Sequence, residues 1–355
     1  MSAALEMRRI YKRQLRKPDS RSLVLYSHAP IDVLDAPAPN DGQKFAPNPH
    51  LRWHQLRGEW VAFNPRGEAR DPASASELPA TGWDIAVFED RTPTFFGGAH
   101  DAPRTIVPTD ASRGVSEVIV YGRDPRASLG SLPLWNVELV VDVWADRTHE
   151  LGMRQDVAYV HVFENRAVEA GVALERAHGR IHAQPFVPPD VARELAEQHA
   201  YYERTGRGLL ADYVARELAD GRRIVYAGSR VVAFVPACAR WAYETWIVPL
   251  KPSPRLSDLG ARDRMDLARA LKTVLLRLDG VFRRPMPYVM AIHQAPADGA
   301  AHLEAHVHVE IYPALRSANR PKWLAGSELS AGVFTAETLP EEKAEELRRI
   351  EVSLE

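Results

Sequence analysis

The 355-residue sequence holds a single cysteine, Cys238. One thiol excludes an internal disulfide and any metal centre built on a cysteine pair, and it suits a reducing compartment. No apolar run approaches the length needed to span a bilayer. The opening twenty residues, MSAALEMRRIYKRQLRKPDS, are basic but lack the apolar core of a secretory signal, so a cytoplasmic protein is expected. An excess of one charge is missing too. Forty-five Lys and Arg face 47 Asp and Glu, a net −2 that offers no global field for nucleic acid or an anionic membrane. What remains is an ordinary globular composition, 45% hydrophobic and 26% charged, with length for one large core or two ordinary ones.

Residues 1–50 are rich in Pro, Asn and Asp around one strand-like run, SLVLYS, and read as an extended arm. From 51, LRWHQLRGEWVAF alternates as strands do, and NPRGEARDP turns. After the apolar run WDIAVFED come a strand (SEVIVYG), an amphipathic helix (LPLWNVELVVDVWADRTHEL) and a second strand (AYVHVFEN). The second half repeats this order. A hairpin (RRIVYAGSRVVAFVPA) and a strand (YETWIVPL) precede the helix ARDRMDLARALKTVLLRLDGVF, then PYVMAIHQA and AHVHVEIYPAL. Strand, long helix, strand, loop, histidine-bearing strand and proline thus occur twice, about 130 residues apart, which predicts a duplicated α+β unit. The boundary is expected near 190–205, giving halves at 51–195 and 196–355 after the arm.

Two histidine groups stand out. His306 and His308 lie two apart on a predicted strand, so both point to one face, while Val307 and Val309 make the other face apolar. They are metal ligands, a nucleophile with its neighbour, or polar residues on a solvated face. In ALERAHGRIHAQPFVPP, His178 and His182 sit four apart, with Arg176 and Arg180 flanking the first. Imidazole is a competent phosphoryl acceptor near neutral pH, and the two arginines could offer forked donors to phosphate oxygens. Gly179 would let a ligand approach the backbone. The bland alternative is a solvated basic loop.

At this point the residues resemble the galactose-1-phosphate uridylyltransferase family of the histidine-triad superfamily. The resemblance runs from about residue 50 to the end. It is carried by RWHQLRGEWV, EVIVYGRDPRASLGSLPL, VFEN followed by AGVALERAHGRIHAQPFVPP, YVARELADG, ETWIVPL, AIHQAP with HVHVEIYP, and RPKWLAGSELSAGVF. It implies two tandem histidine-triad-like halves, each an antiparallel sheet with helices packed on it. The family's motif is His-Pro-His-x-Gln, and its second histidine becomes nucleotidylated. Laid on this sequence, that nucleophile is His178, and His182 falls where members often carry an aromatic residue.

The departures are as informative. Arg176, Ala177 and Arg180 replace the family's His, Pro and Gln. With no Cys-x-x-Cys, with Pro125 where a ligating histidine would stand and with Arg176 at the last position, zinc at the family's first site is excluded. Salt bridges or apolar packing are expected to replace it. The second, iron-type site is matched by Glu194, His293, His306 and His308, implying one iron or zinc ion. Nucleotide contacts carry over to Asn165 and Arg70. The first arginine of the family's pair is either shifted to Arg66 or lost to Gly67, and Arg176 is a phosphate donor by its own chemistry. Asp90 replaces an asparagine and would bring a negative charge near the nucleotide. Lys322 and Glu328 match residues that hold the sugar phosphate.

The implied reaction moves a nucleoside monophosphate from a nucleoside diphosphate sugar to a second sugar 1-phosphate through nucleotidyl-His178. The imidazole must attack neutral, so its other nitrogen is expected to bond a backbone carbonyl. Arg180 changes the electrostatics most, by favouring the phosphorane-like state or by binding the ground state too tightly. The rival readings are a phosphorylase or hydrolase, in which phosphate or water resolves the intermediate, and a degenerate nucleotide-binding homologue. A homodimer is expected as partner state, with no nucleic acid and no membrane.

Overall fold

The computed structural model describes residues 8–37, 45–64, 78–166, 176–322 and 324–355. Its first strands are β1 (Tyr11–Arg16) and β2 (Ser22–Ser27), then β3 (His50–His54), β4 (Glu59–Phe63), β5 (Ile85–Glu89), β6 (Thr109–Ala111) and β7 (Val115–Val120). Helix α1 (Leu134–Gly152) leads to β8 (Tyr159–Arg166) and β9 (His178–Gln184), then to helices α2 (Pro189–Thr205) and α3 (Leu209–Asp220). The second half brings β10 (Ile224–Ala227), β11 (Val231–Phe234), β12 (Thr245–Pro249), α4 (Ala261–Val281), β13 (Tyr288–His293) and β14 (His308–Pro313). The short pair β15 (Leu315–Ser317) and β16 (Arg320–Pro321) and helix α5 (Pro340–Arg348) close the chain.

Among the described residues, eleven strands make one antiparallel sheet in the order β1-β2-β5-β7-β9-β8-β13-β14-β12-β11-β10. From β2 to β10 the order reads alike from either end, with the repeat's two copies meeting where β8 pairs with β13. The α+β class and its two tandem halves therefore appear as a single continuous sheet. Two expected boundaries shift in detail. Residues 11–27 of the expected arm form the edge hairpin β1–β2, because Leu23 and Leu25 are fully buried and need a sheet to cover them. The boundary at 195/196 falls inside α2.

The sheet is covered differently on its two faces. On one, α1 and α4 pack side by side over Val160, Val162, Ile181, Ala183, Met290, Ile292, Val309 and Ile311. The α4 stripe Leu267, Leu271, Val274, Leu275 and Leu278 is buried at helical spacing, and the Asp263 carboxylate caps its first turn by accepting the Gly260 N–H at 3.2 Å. On the opposite face, Leu78 and Trp83 cover the β2–β5–β7 end, while Leu210 and Val214 of α3 cover Val232, Phe234 and Val248 at the other end. Between these covers lies a polar trough over β9, β8, β13 and β14. Helix α2 begins at Pro189 and stops at Gly206, whose φ of 68° a side chain would resist, and it meets the second-half end of this trough through Glu194 and Gln198.

Candidate active site

Strand alternation decides what reaches the trough. On β9, Gly179, Ile181 and Ala183 face the helices, so His178, Arg180 and His182 face outward into the trough. His178 is thus a buried side chain on a strand rather than part of a solvated loop. Its Nδ1 lies 3.1 Å from the Arg176 carbonyl oxygen. A carbonyl only accepts, so Nδ1 carries the proton and Nε2 carries the lone pair. His308, at the corresponding place on β14, repeats this, with Nδ1 2.9 Å from the His306 carbonyl. The same local contact thus occurs in both copies, but His308 Nε2 also faces the Glu310 carboxylate at 3.3 Å.

Gly179 serves a different purpose from the one its flexibility suggested. A Cβ there would collide with the Tyr121 hydroxyl and crowd the Phe163 carbonyl at 3.1 Å, on the face away from the trough. The glycine admits Tyr121 into the core.

Arg180 reaches across β7 to Asp90, which follows β5, and an Nη1–H of Arg180 donates to an Asp90 carboxylate oxygen. Asp90, expected to bring a negative charge near the nucleotide, is thus paired with Arg180, and the two charges offset each other. Arg176 lies half-buried just before β9, and Asn165, next to last in β8, sits opposite Val289 of β13. Arg66 and Arg70 fall outside the described residues.

His182 packs edge-on against Phe95 and Phe163, with ring centroids 5.4 and 4.9 Å away, as an aromatic residue would. Burial first, then the nearby His161 and Arg180, push its pKa down to about 3. His161, its cross-strand partner, is likewise held neutral, its pKa lowered to about 3 by burial and the His293 charge. Sequence reasoning missed His161. Its only signal was its place in the alternation of AYVHVFEN, two residues from Phe163 on the trough face.

On the second copy, the carboxylate of Glu194 on α2 meets His293 Nδ1 at 2.7 Å, and His308 joins them. One ligand atom from each of the three lies within 4.8 Å of the others, a grouping that could hold a metal ion. Fourth in the expected set, His306 turns its Nε2 to the Pro249 carbonyl at 2.8 Å and stands outside that group. It still lines the same cavity of about 10 Å³, with a buried Nδ1 that has no hydrogen-bond partner among the described residues. An orphaned imidazole nitrogen beside two imidazoles and a carboxylate is a donor set that fits iron or zinc.

The loop at 122–132, which carries Pro125, is fixed by other means. Buried Lys272 of α4 donates to the Gly130 and Leu132 carbonyls at 3.0 and 2.6 Å, and Leu129 and Leu132 are buried in the core.

Beyond β16, Lys322 donates to the Thr335 carbonyl at 2.8 Å and lies over the Trp241 and Phe334 rings. Its pKa is lowered by burial. Glu328 is half-buried on the Ser327–Ala331 turn, accepting the Thr335 hydroxyl at 3.2 Å, and its carboxyl titrates below the usual range because of local backbone hydrogen bonds. These two residues belong to the second half, whereas His178 belongs to the first.

Residues 89–188 match the family model described as the galactose-1-phosphate uridyl transferase N-terminal domain, and 194–354 match its C-terminal domain. A galactose-1-phosphate uridylyltransferase of Thermotoga maritima is 31% identical over 322 residues, covering 86% of this chain and 99% of its own. One of Streptomyces lividans is 31% identical over 362 residues, covering 96% and 98%. A solved uridylyltransferase structure matches with a TM-score of 0.77 at 30% identity, over 84% of this chain and 97% of that one. An ADP-glucose phosphorylase of Arabidopsis thaliana shares the fold, with a TM-score of 0.67 at 22% identity over 86% and 100%.

Proposed function

This chain belongs to the galactose-1-phosphate uridylyltransferase family, a family of nucleotidyltransferases, and from that premise we propose that it moves a nucleoside monophosphate between sugar 1-phosphates through a covalent bond to His178. One observation carries the reading: His178 is buried at the trough floor with its Nδ1 proton committed to the Arg176 carbonyl. The Nε2 lone pair then attacks the α-phosphorus of a nucleoside diphosphate sugar. A P–N bond forms, and the P–O bond to the sugar 1-phosphate breaks with its electron pair on the departing oxygen. A second sugar 1-phosphate reverses the step from its own oxygen.

Arg180 donates to the phosphoryl oxygens, with Arg176, Asn165, Arg66 and Arg70 as nucleotide and phosphate contacts. Lys322 and Glu328 hold the sugar phosphate and sugar hydroxyls. Glu194, His293 and His308, with His306, would hold one iron or zinc ion, whose chemistry there is to tie α2 to the sheet. Because the acceptor residues lie on the opposite half from His178, two chains pairing about a two-fold axis would complete each site. The exposed Leu324, Leu329 and Val333 around Glu328 support such a pairing.

The test is intact-mass spectrometry after incubation with UDP-glucose. A single uridylyl adduct is expected on the wild type and on His182→Ala, and none on His178→Ala. Release of the adduct by a sugar 1-phosphate supports the transferase, and release by inorganic phosphate or water alone supports a phosphorylase or hydrolase. An adduct that survives His178→Ala overturns the assignment of the nucleophile.

A further inference from the structure

Asp90 and Arg180 replace the family's asparagine and glutamine with opposite charges, and the fold brings the two together. The Arg180 side chain leaves β9, passes its register neighbour Val118 on β7 and ends on Asp90. That carboxylate is 2% exposed. One of its oxygens accepts the Thr92 N–H at 3.0 Å and lies 3.4 Å from the Thr92 hydroxyl, and the other accepts from Arg180. Either substitution alone would leave a charge unpaired in a largely enclosed place, which proteins tolerate poorly. Both together leave the site with the same net charge as a neutral pair.

The guanidinium is not consumed by this contact. Its side chain stays 32% exposed in the trough, and Nε and Nη2 bond no described residue. His178 lies two residues back on the same face of the strand, about 7 Å away along β9. Resting on the function proposed above, we propose that Asp90 is a positioning residue that pins Arg180 as a fixed, partly neutralised donor to the phosphoryl group transferred to His178. As the P–N bond forms and the P–O bond breaks, negative charge grows on the non-bridging oxygens, where a preoriented guanidinium needs no rearrangement to meet it. An unpinned arginine would follow the ground-state phosphates equally well and add no rate. The paired substitution is then a maintained device, and not a mark of decay.

A double-mutant cycle tests this, with Asp90→Asn, Arg180→Gln and the double variant, and UDP-glucose as donor. Single-turnover rates of adduct formation, KM and the melting temperature are read for each. Each single change should slow adduct formation about 10- to 100-fold with a smaller change in KM. The double should be no slower than Arg180→Gln alone, because Asp90 acts only through the guanidinium. Arg180→Lys should not rescue, because an ammonium cannot bond Asp90 and a phosphoryl oxygen with one rigid fork.

Multiplicative losses in the double overturn the proposal. So does an unchanged rate in Asp90→Asn, and so does a shift confined to melting temperature. If the wild type forms no adduct, the reading of His178 fails. The cycle is then read on UDP-glucose affinity, where additive effects still overturn the pairing.

Discussion

The contact between His178 Nδ1 and the Arg176 carbonyl is local, spanning two residues, and therefore survives almost any change elsewhere that keeps β9 a strand. What does not survive is a change at the residue between His178 and Arg180. Gly179→Ala places a methyl group on the Tyr121 hydroxyl, and Tyr121 is fully buried. The expected cost is about 1–3 kcal/mol by chemical denaturation, from overpacking. Combining it with Tyr121→Phe removes the colliding oxygen and should recover part of that loss. Recovery is also favoured because the Tyr121 hydroxyl is buried without a partner among the described residues. If Gly179→Ala alone matched wild-type stability, the packing account of this glycine would be wrong.

Elements set the second kind of consequence. Among the described residues, helix α2 makes polar contacts through Glu194 with His293 of β13 and through the Gln198 side-chain oxygen, which accepts the His306 N–H at 3.2 Å just before β14. Its buried residues are few, so a metal ion held by Glu194, His293 and His308 would supply much of its attachment. Elemental analysis of purified protein should give at most about one metal per chain, and Glu194→Ala should abolish it. Two equivalents would contradict the loss of the family's first site. His306→Ala should lower the melting temperature more than it lowers turnover, since His306 and His178 lie on different copies of the repeat. A selective loss of turnover would place His306 in the chemistry instead.

At the scale of the whole molecule, the two halves are joined through β8 and β13, and a titratable group lies on that seam. Glu164 of β8 is buried and accepts the Tyr288 hydroxyl of β13 at 2.9 Å. Burial, only partly offset by that hydrogen bond and by Arg166, raises its pKa to about 7. An unfolded glutamate titrates near 4.5. Between these values the folded state holds a proton that the unfolded state has lost, so stability falls as pH rises from about 4.5 to 7. The full effect is roughly 3 kcal/mol. Glu164→Gln should flatten this part of the pH–stability curve, and an unchanged curve would place the carboxylate in a wetter setting than the fold gives it. Light scattering at micromolar concentration should show a dimer, because the residues proposed for the acceptor lie on the half that lacks His178. A monodisperse, fully active monomer would contradict a site shared between chains.

Much of this molecule was legible in its residues because the information is periodic or local. The two amphipathic helices, the histidine-bearing strands and their repetition about 130 residues apart follow from spacing alone, and the order of motifs points to the family and to His178. The grouping of Glu194, His293 and His308 could be named through that resemblance, but it is the sheet register that brings His293 opposite His308. Three things depended on contacts between residues distant in sequence, and no periodicity encodes those. Asp90 and Arg180 are 90 positions apart and became one ion pair only when β5, β7 and β9 lay side by side. His161 acquired meaning only as the cross-strand neighbour of His182. Gly179 looked like an opening for a ligand until the fold set the Tyr121 hydroxyl behind it. Sequence determined which side chains share a strand face, because alternation is a property of one strand. Tertiary structure decided which charges cancel, because that depends on which strands become neighbours.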